Sequence, residues 1–139
     1  MSEEKSLKSW VILSRAFHAV EKKTAEDIRQ YGVSPTEFGV LELLYHKGKQ
    51  PIQKIAQSIL LTSGSMTYVI QKLEKEGYIR KSVCENDKRV TYIKLSTKGQ
   101  LLIGEAFPKH AKAVNKIFEN LTETEQVELQ NLLKKVGKS

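Results

Sequence analysis

Polar side chains suited to binding a polyanion form two groups in the middle of the chain. The first group has hydroxyls, an amide and an ammonium at helical spacing: Ser63, Ser65, Thr67, Tyr68, Gln71 and Lys72. The second group is the charged triplet Asp87, Lys88 and Arg89. Such side chains contact phosphate oxygens and base edges. Both groups are therefore candidate nucleic-acid contacts; the alternatives are an ordinary exposed helix face and a solvated charged turn.

The positive charge of the chain is concentrated around these residues. The chain has 23 Lys and Arg against 16 Asp and Glu, a net charge of +7. Residues 47–99 hold 11 basic and 4 acidic side chains and carry +7, whereas residues 1–46 carry −1 and residues 100–139 carry +1. A local positive field favours a polyanion such as nucleic acid, although a basic surface that only aids solubility gives the same distribution.

The sequence has no pattern typical of a catalytic or metal centre. It contains no glycine-rich phosphate loop, no G-x-S-x-G elbow and no Cys/His cluster with ligand spacing. Its histidines at 18, 46 and 110 are too scattered for a recognisable metal motif. The sequence therefore predicts no enzyme activity, no cofactor and no metal.

Length and composition indicate one compact domain or one protomer of an oligomer. The chain has 139 residues, of which 40% are hydrophobic and 28% charged, as in ordinary globular proteins. Its apolar runs are far shorter than the ~20 residues that a membrane helix needs, and the charged N-terminus is unlike a signal peptide. Cys84 is the only cysteine, which favours a reducing, cytoplasmic location.

Hydrophobic spacing and capping residues predict six helices and one β-hairpin. The helices are expected at 6–30, 34–47, 51–60, 63–75, 96–120 and 122–136, and the hairpin strands at 78–84 and 90–95. Ser34 and Glu37 have the spacing of a capping box, as do Thr122 and Glu125. Pro108 falls inside the fifth helix and is predicted to kink it, because proline lacks a backbone N–H.

This order of elements predicts a mainly α fold with a small β-hairpin wing, a winged helix-turn-helix over residues 34–99. The helices of residues 1–33 and 100–139 have apolar faces that are too broad for one small core to cover. We therefore expect a homodimer in which these helices form a dimerisation layer. The apolar residues expected in that layer are Trp10, Phe107, Phe118, Leu129, Leu132 and Leu133.

The helix at 63–75 has the pattern expected of a helix that enters a DNA major groove. Its apolar stripe consists of Met66, Val69, Ile70 and Leu73. With this stripe facing the core, the polar face can reach base edges and phosphates. At the tip of the wing, the Arg89 guanidinium can enter a minor groove while the Asp87 carboxylate holds it in one direction.

Five short motifs, which follow one another in order, carry a family resemblance that spans nearly the whole chain. They are SPTEF at 34–38, SGSMT at 63–67, KLEKEGYIR at 72–80, NDKR at 86–89 and LSTKG at 95–99. With them the sequence resembles the multiple antibiotic resistance regulator (MarR) family of bacterial winged-helix regulators, which usually has threonine where Ser96 stands. The resemblance implies an obligate homodimer that binds a palindromic operator, usually as a repressor. Overall likeness places the sequence near the branch that responds to quinones and methylhydroquinone.

The resemblance also implies a small-molecule pocket. Ligands such as phenolic compounds often bind family members between the dimer layer and the DNA-binding lobe. The residues suited to line such a pocket are Trp10, Phe17, His18, Phe38 and Tyr45. Aromatic residues at helical spacing are also typical of a plain hydrophobic core, which is the alternative interpretation.

Cys84 is the second candidate for sensing a signal. It ends the first predicted wing strand, where modification of the thiol could move the wing. Lys81 and Lys88 favour a thiolate, and Glu85 opposes it. The alternative is an inert, half-buried strand residue. Peroxide-sensing members of the family have their cysteine in the first helix, where this chain has none.

The sequence thus predicts a DNA-binding transcriptional regulator. The alternative is a winged-helix module that binds another protein and has no operator. The two functions differ in duplex affinity and in its dependence on salt, because only operator binding releases counterions from DNA.

Overall fold

Six helices and three short strands occupy residues 2–59 and 63–138, the parts of the chain that the computed structural model describes. The helices are α1 Glu3–Arg29, α2 Pro35–Lys47, α3 Ile52–Ser58, α4 Ser63–Lys75, α5 Thr97–Ile117 and α6 Glu123–Gly137. The strands are β1 Gln50–Pro51, β2 Ile79–Val83 and β3 Thr91–Leu95. The predicted helices and hairpin are confirmed. The predicted break at Thr62 lies outside the described residues.

Local capping explains where several helices begin. Both predicted capping boxes form, with Ser34 Oγ accepting from the Glu37 N–H at 3.1 Å and Glu37 Oε1 accepting from the Ser34 N–H at 2.7 Å. The Thr122 box before α6 has the same pattern. Helix α1 begins at Glu3, earlier than predicted, because Ser2 Oγ accepts the Lys5 N–H at 3.2 Å.

The wing is part of a three-stranded antiparallel sheet of order β1-β3-β2. The pairing of β2 with β3 is the predicted hairpin. Strand β1 was not predicted, because two residues show no alternation, and Pro51 can occupy this edge since its missing N–H is not needed there. The sheet thus ties the segment before α3 to the wing.

The hydrophobic core lies in the lobe formed by α2, α3, α4, the sheet and the first half of α5. Its fully buried side chains include Phe38, Leu41, Val40, Ile55, Met66, Ile70, Leu73, Ile79, Ile93 and Ile103. The stripe predicted on α4 faces this core, with Val69 partly buried at its edge. Helix α5 continues through Pro108 as one helix. The predicted kink stays a prediction.

The terminal helices expose most of their apolar residues in the single chain. On α1, Trp10 is 64% exposed, and on α6, Leu132 is 60% exposed. Helix α6 has no buried residue. Phe107 is an exception among the residues expected in the dimer layer, because its ring packs against the lobe core. None of the described helices is both long and apolar enough to cross a membrane.

Candidate nucleic-acid interface

Helix α4 presents the predicted polar side chains on its exposed face. Burial of Met66, Ile70 and Leu73 fixes which side of the helix faces the core. The exposed side chains include the predicted Ser65, Thr67, Tyr68, Gln71, Lys72 and Lys75. Tyr68 projects well into solvent, with 68% of its surface exposed. The side chain of Ser63 lies outside the described residues.

The wing tip holds Arg89 in a defined direction. Arg89 Nε donates to Asp87 Oδ1 at 3.0 Å, and Nη2 donates to Oδ2 at 3.2 Å. The Arg89 backbone N–H also donates to Asp87 Oδ1 at 3.0 Å. These hydrogen bonds, first from the side chain and then from the backbone, lower the pKa of Asp87. The Arg89 side chain is nevertheless 91% exposed. Its guanidinium therefore remains accessible to a partner.

Several contacts join the wing to α4 and α5. Lys81 Nζ on β2 lies 3.5 Å from Glu74 Oε1 on α4. The Ser96 N–H donates to the Tyr78 carbonyl at 3.0 Å, and Ser96 Oγ donates to the Gly77 carbonyl. Lys98 Nζ donates to the Glu76 carbonyl at 2.8 Å. The end of α4, the base of the wing and the start of α5 are therefore mechanically connected.

Lys72, another of the predicted contacts, is paired with acidic side chains of the chain itself. Its Nζ lies 3.3 Å from Glu37 Oε2 and 3.9 Å from Glu76 Oε1. Close contact with Glu37, followed by the charge attraction of that carboxylate, raises the pKa of Lys72. The sequence carried no signal of this pairing, because Glu37 is explained locally by its capping box.

The residues predicted to line one effector pocket are divided between three places in the single chain. Trp10, Phe17 and His18 line a shallow, mainly apolar depression on α1. Phe38 is buried in the lobe core. Tyr45 lies against the rings of His46 and Phe107. The five residues therefore do not converge on one cavity within the described chain.

Cys84 is half-buried just after β2. One of the two lysines expected to act on it, Lys81, is paired with Glu74 instead. Lys49 lines the same surface depression as Cys84, with its Nζ 5.1 Å above the Tyr92 ring. Sequence reasoning missed Lys49, because its approach depends on the unpredicted pairing of β1 with β3.

A polar cluster between α1 and α5 was also missed by sequence reasoning. Asp27 Oδ2 lies 2.9 Å from His110 Nδ1, and Asp27 Oδ1 accepts from the Tyr31 hydroxyl at 3.0 Å. The His110 ring is in turn 4.8 Å from the Phe38 ring. Burial and the hydrogen bond to Asp27 raise the pKa of Tyr31 to about 12. This cluster joins the first helix, the fifth helix and the core of the lobe.

Sequence similarity shows which proteins share this arrangement. Residues 33–91 match the MarR family. The chain is 43% identical over 134 residues to the HTH-type transcriptional regulator MhqR of Bacillus subtilis strain 168, a match that covers 96% of this chain and 92% of that protein. It is 40% identical to the HTH-type transcriptional regulator YkoM of the same strain, covering 96% and 87% of the two proteins.

The fold is similar to that of Sco3205, a MarR family transcriptional regulator from Streptomyces coelicolor solved in complex with DNA. The TM-score is 0.89 at 22% identity, and the match covers 99% of this chain and 88% of that one. The sequence matches, the exposed face of α4 and the wing together show that the chain is a winged helix-turn-helix, DNA-binding transcriptional regulator. It belongs to the MarR family, as the five sequence motifs predicted. The match to MhqR agrees with the predicted branch.

Proposed function

We propose that this regulator is a homodimeric repressor that binds a palindromic operator and is released from it by a phenolic or quinone-like effector. The geometry of the wing tip is the observation that supports operator binding. There the Arg89 guanidinium is exposed but already oriented by Asp87. Such preorganisation reduces the entropy lost on binding. Because a bacterial regulator acts on the chromosome, the proposed location is the cytoplasm.

In the proposed complex, α4 lies in the major groove and the wing reaches the minor groove. The major-groove contacts come from Ser65, Thr67, Tyr68 and Gln71 on the exposed polar face of α4, together with Ser63, with which the helix begins. The wing contributes Lys88 and Arg89, with Asp87 orienting the arginine. Lys72 is not among these contacts, because its ammonium is paired with the buried carboxylate of Glu37.

Dimerisation would bury the exposed apolar faces of the terminal helices. Helices α1 and α6 expose Leu7, Trp10, Phe17, Val127, Leu132, Leu133 and Val136 to more than 40%. Apolar surface of this extent is typical of a protein interface. A homodimer would also place two α4 helices on the two half-sites of a palindrome, since operator symmetry mirrors protein symmetry.

For the effector, the structure supports two routes. The depression lined by Trp10, Phe17 and His18 offers mainly apolar surface together with the polar ring of His18, which suits a hydroxylated aromatic ring. The half-buried Cys84 offers a thiol near the wing. Release of bound DNA by benzoquinone distinguishes the apolar depression from the thiol. If Cys84 is the sensor, the quinone releases DNA from the native protein but not from the Cys84→Ser variant. Equal release from both proteins would assign sensing to the pocket or elsewhere.

Titration of duplex DNA against salt tests the proposed function as a whole. The probes are the duplex that the native protein selects from a random-sequence pool and an unselected duplex of equal length. We expect tight binding to the selected duplex that weakens steeply as salt rises, because Lys and Arg displace counterions from phosphates. A module that binds only proteins would select no duplex and show little affinity for either probe at any salt concentration.

A further inference from the structure

The Lys72 ammonium joins two helices that are distant in the sequence. Lys72 lies on α4, whereas its partner Glu37 lies in the first turn of α2. Their charged atoms are 3.3 Å apart, and Glu76 Oε1, just beyond the end of α4, lies 3.9 Å from the same ammonium. The three groups together carry one net negative charge. They therefore do not present a positive surface to DNA.

Glu37 is the member of this group that has least freedom. Its side chain is only 4% exposed. Its Oε1 is held at 2.7 Å by the Ser34 N–H of the capping box. Its Oε2 is buried and accepts no well-aligned hydrogen bond from the described residues, so the ammonium of Lys72 is the positive charge that offsets it. A buried carboxylate without such a partner is strongly unfavourable.

We propose that Lys72 is a positioning residue: it fixes the recognition helix α4 against α2 through Glu37 and does not itself bind a DNA phosphate. An ammonium that moved to a phosphate would leave the buried Glu37 carboxylate unpaired. Glu37 is anchored by its capping box, so the pair fixes Lys72 relative to the first turn of α2. The inference rests on the proposed docking of α4 against operator DNA.

Loss of this pair would affect the reading of bases more than the attraction to phosphates. Hydrogen bonds to base edges depend on direction, so a small rotation of α4 would displace Tyr68 and Gln71 from their partners. The long-range attraction between the basic lobe and DNA changes little with such a rotation. A positioning role and a phosphate contact therefore predict different results for the same substitution.

The experiment measures binding of the full-length protein to the selected and the unselected duplex over a range of salt. Lys72→Met and Glu37→Gln are compared singly and together; glutamine keeps the capping acceptor but removes the charge. We expect each single variant to bind the selected duplex about tenfold more weakly, with the double variant no weaker than either one. Binding to the unselected duplex and the slope of log K against log salt should stay as in the native protein.

A phosphate contact would give the opposite pattern. Lys72→Met would then weaken binding to both duplexes alike and reduce the salt slope by about 0.9. Glu37→Gln would release Lys72 for DNA, so it would bind more tightly and with a steeper slope. Either result would overturn the proposal. If Lys72→Met fails to fold, the sign of the Glu37→Gln effect still decides between the two roles.

Lys75→Met is the matched control. It removes the same charge from the same helix, and Lys75 forms no ion pair among the described residues. Its effect should add to that of Glu37→Gln, whatever its size, whereas the effect of Lys72→Met should not. Additive effects for Lys72→Met and Glu37→Gln would contradict the positioning role. If the native protein selects no duplex, that result contradicts the proposed function and leaves the pairing of Lys72 with Glu37 unaffected.

Discussion

Asp87 and Arg89 are two residues that form one rigid polar unit at the tip of the wing. The carboxylate accepts from both the side chain and the backbone of the arginine. These hydrogen bonds favour its charged form and lower the pKa of Asp87. The acid therefore has two opposing effects on DNA binding, because it repels phosphates but fixes the direction of a cation.

Substitution of each residue separates these two effects. Arg89→Ala should weaken operator binding by about 1–3 kcal/mol. It should also reduce the slope of log K against log salt by the amount that one phosphate contact contributes. Asp87→Ala should also weaken binding, because the freed guanidinium loses its orientation. Fluorescence anisotropy with the selected duplex measures both. Tighter binding by Asp87→Ala, with both variants folded dimers, would show that the acid acts only as a repelling charge.

The Tyr31 phenol, which donates to Asp27, has a pKa raised to about 12. The ordinary tyrosine pKa is 10.0, so the folded state holds the phenol proton more tightly than the unfolded state. Stability from this group is therefore fully present below pH 10 and is lost as pH rises towards 12. Denaturant unfolding at increasing alkaline pH should show a smaller loss for Tyr31→Phe than for the native protein. Equal losses would contradict the assignment.

At the scale of elements, the start of α5 packs unusually closely on the base of the wing. A Cβ atom added at Gly99 would lie far inside van der Waals contact with the Tyr78 carbonyl oxygen. Ser96 and Lys98 bond to neighbouring carbonyls of the same segment. The residue at 99 is thus restricted to glycine by close approach of two backbones, and the wing and α5 are expected to move together.

Gly99→Ala should lower the free energy of unfolding by about 3 kcal/mol, because backbone has to shift to admit the methyl group. Gly104→Ala is the control on the same helix: the nearest atom to its added Cβ, the Tyr45 hydroxyl oxygen, is at an ordinary 3.6 Å. That variant should be neutral or slightly stabilising, since alanine favours helix. Urea denaturation compares the two. Equal stabilities would mean that the junction is looser than the contacts at Gly99 indicate.

At the scale of the whole molecule, the DNA-binding lobe has its own core and the two ends of the chain do not. The buried residues lie between Ile28 and Ala106. Helix α6 contributes none of them, although it carries Val127, Leu132, Leu133 and Val136. A second copy of the chain is the partner that would cover these residues in a symmetric regulator.

Light scattering should therefore find a dimer throughout the micromolar range. Leu132→Glu should shift it towards monomer, because the interface would have to bury an unpaired carboxylate. Val83→Glu is the control: Val83 is also well exposed, but it lies on the wing, outside the proposed dimer layer. A native protein that is monomeric under these conditions would contradict the dimer.

Features that depend on short-range interactions could be predicted from the order of the residues. Capping boxes join residues three positions apart, the stripe of α4 follows from helical periodicity, and the Asp87–Arg89 pair lies within one turn. These features were sufficient to predict the winged helix-turn-helix and the polar face of α4. Even so, the added strand β1 escaped prediction, because its two residues gain their structure only by pairing with β3.

The contacts between side chains that are distant in the sequence depend on the packing of whole helices. In the sequence, Lys72 is indistinguishable from the other exposed basic and polar residues of its helix. Only the packing of α4 on α2 brings it to Glu37. Likewise, His110 meets Asp27 only because α5 lies against α1. Helix packing also places the five residues predicted to line one effector pocket in three separate regions of the chain. Helical periodicity specifies the face of a residue, whereas its neighbour across an interface depends on how whole helices pack.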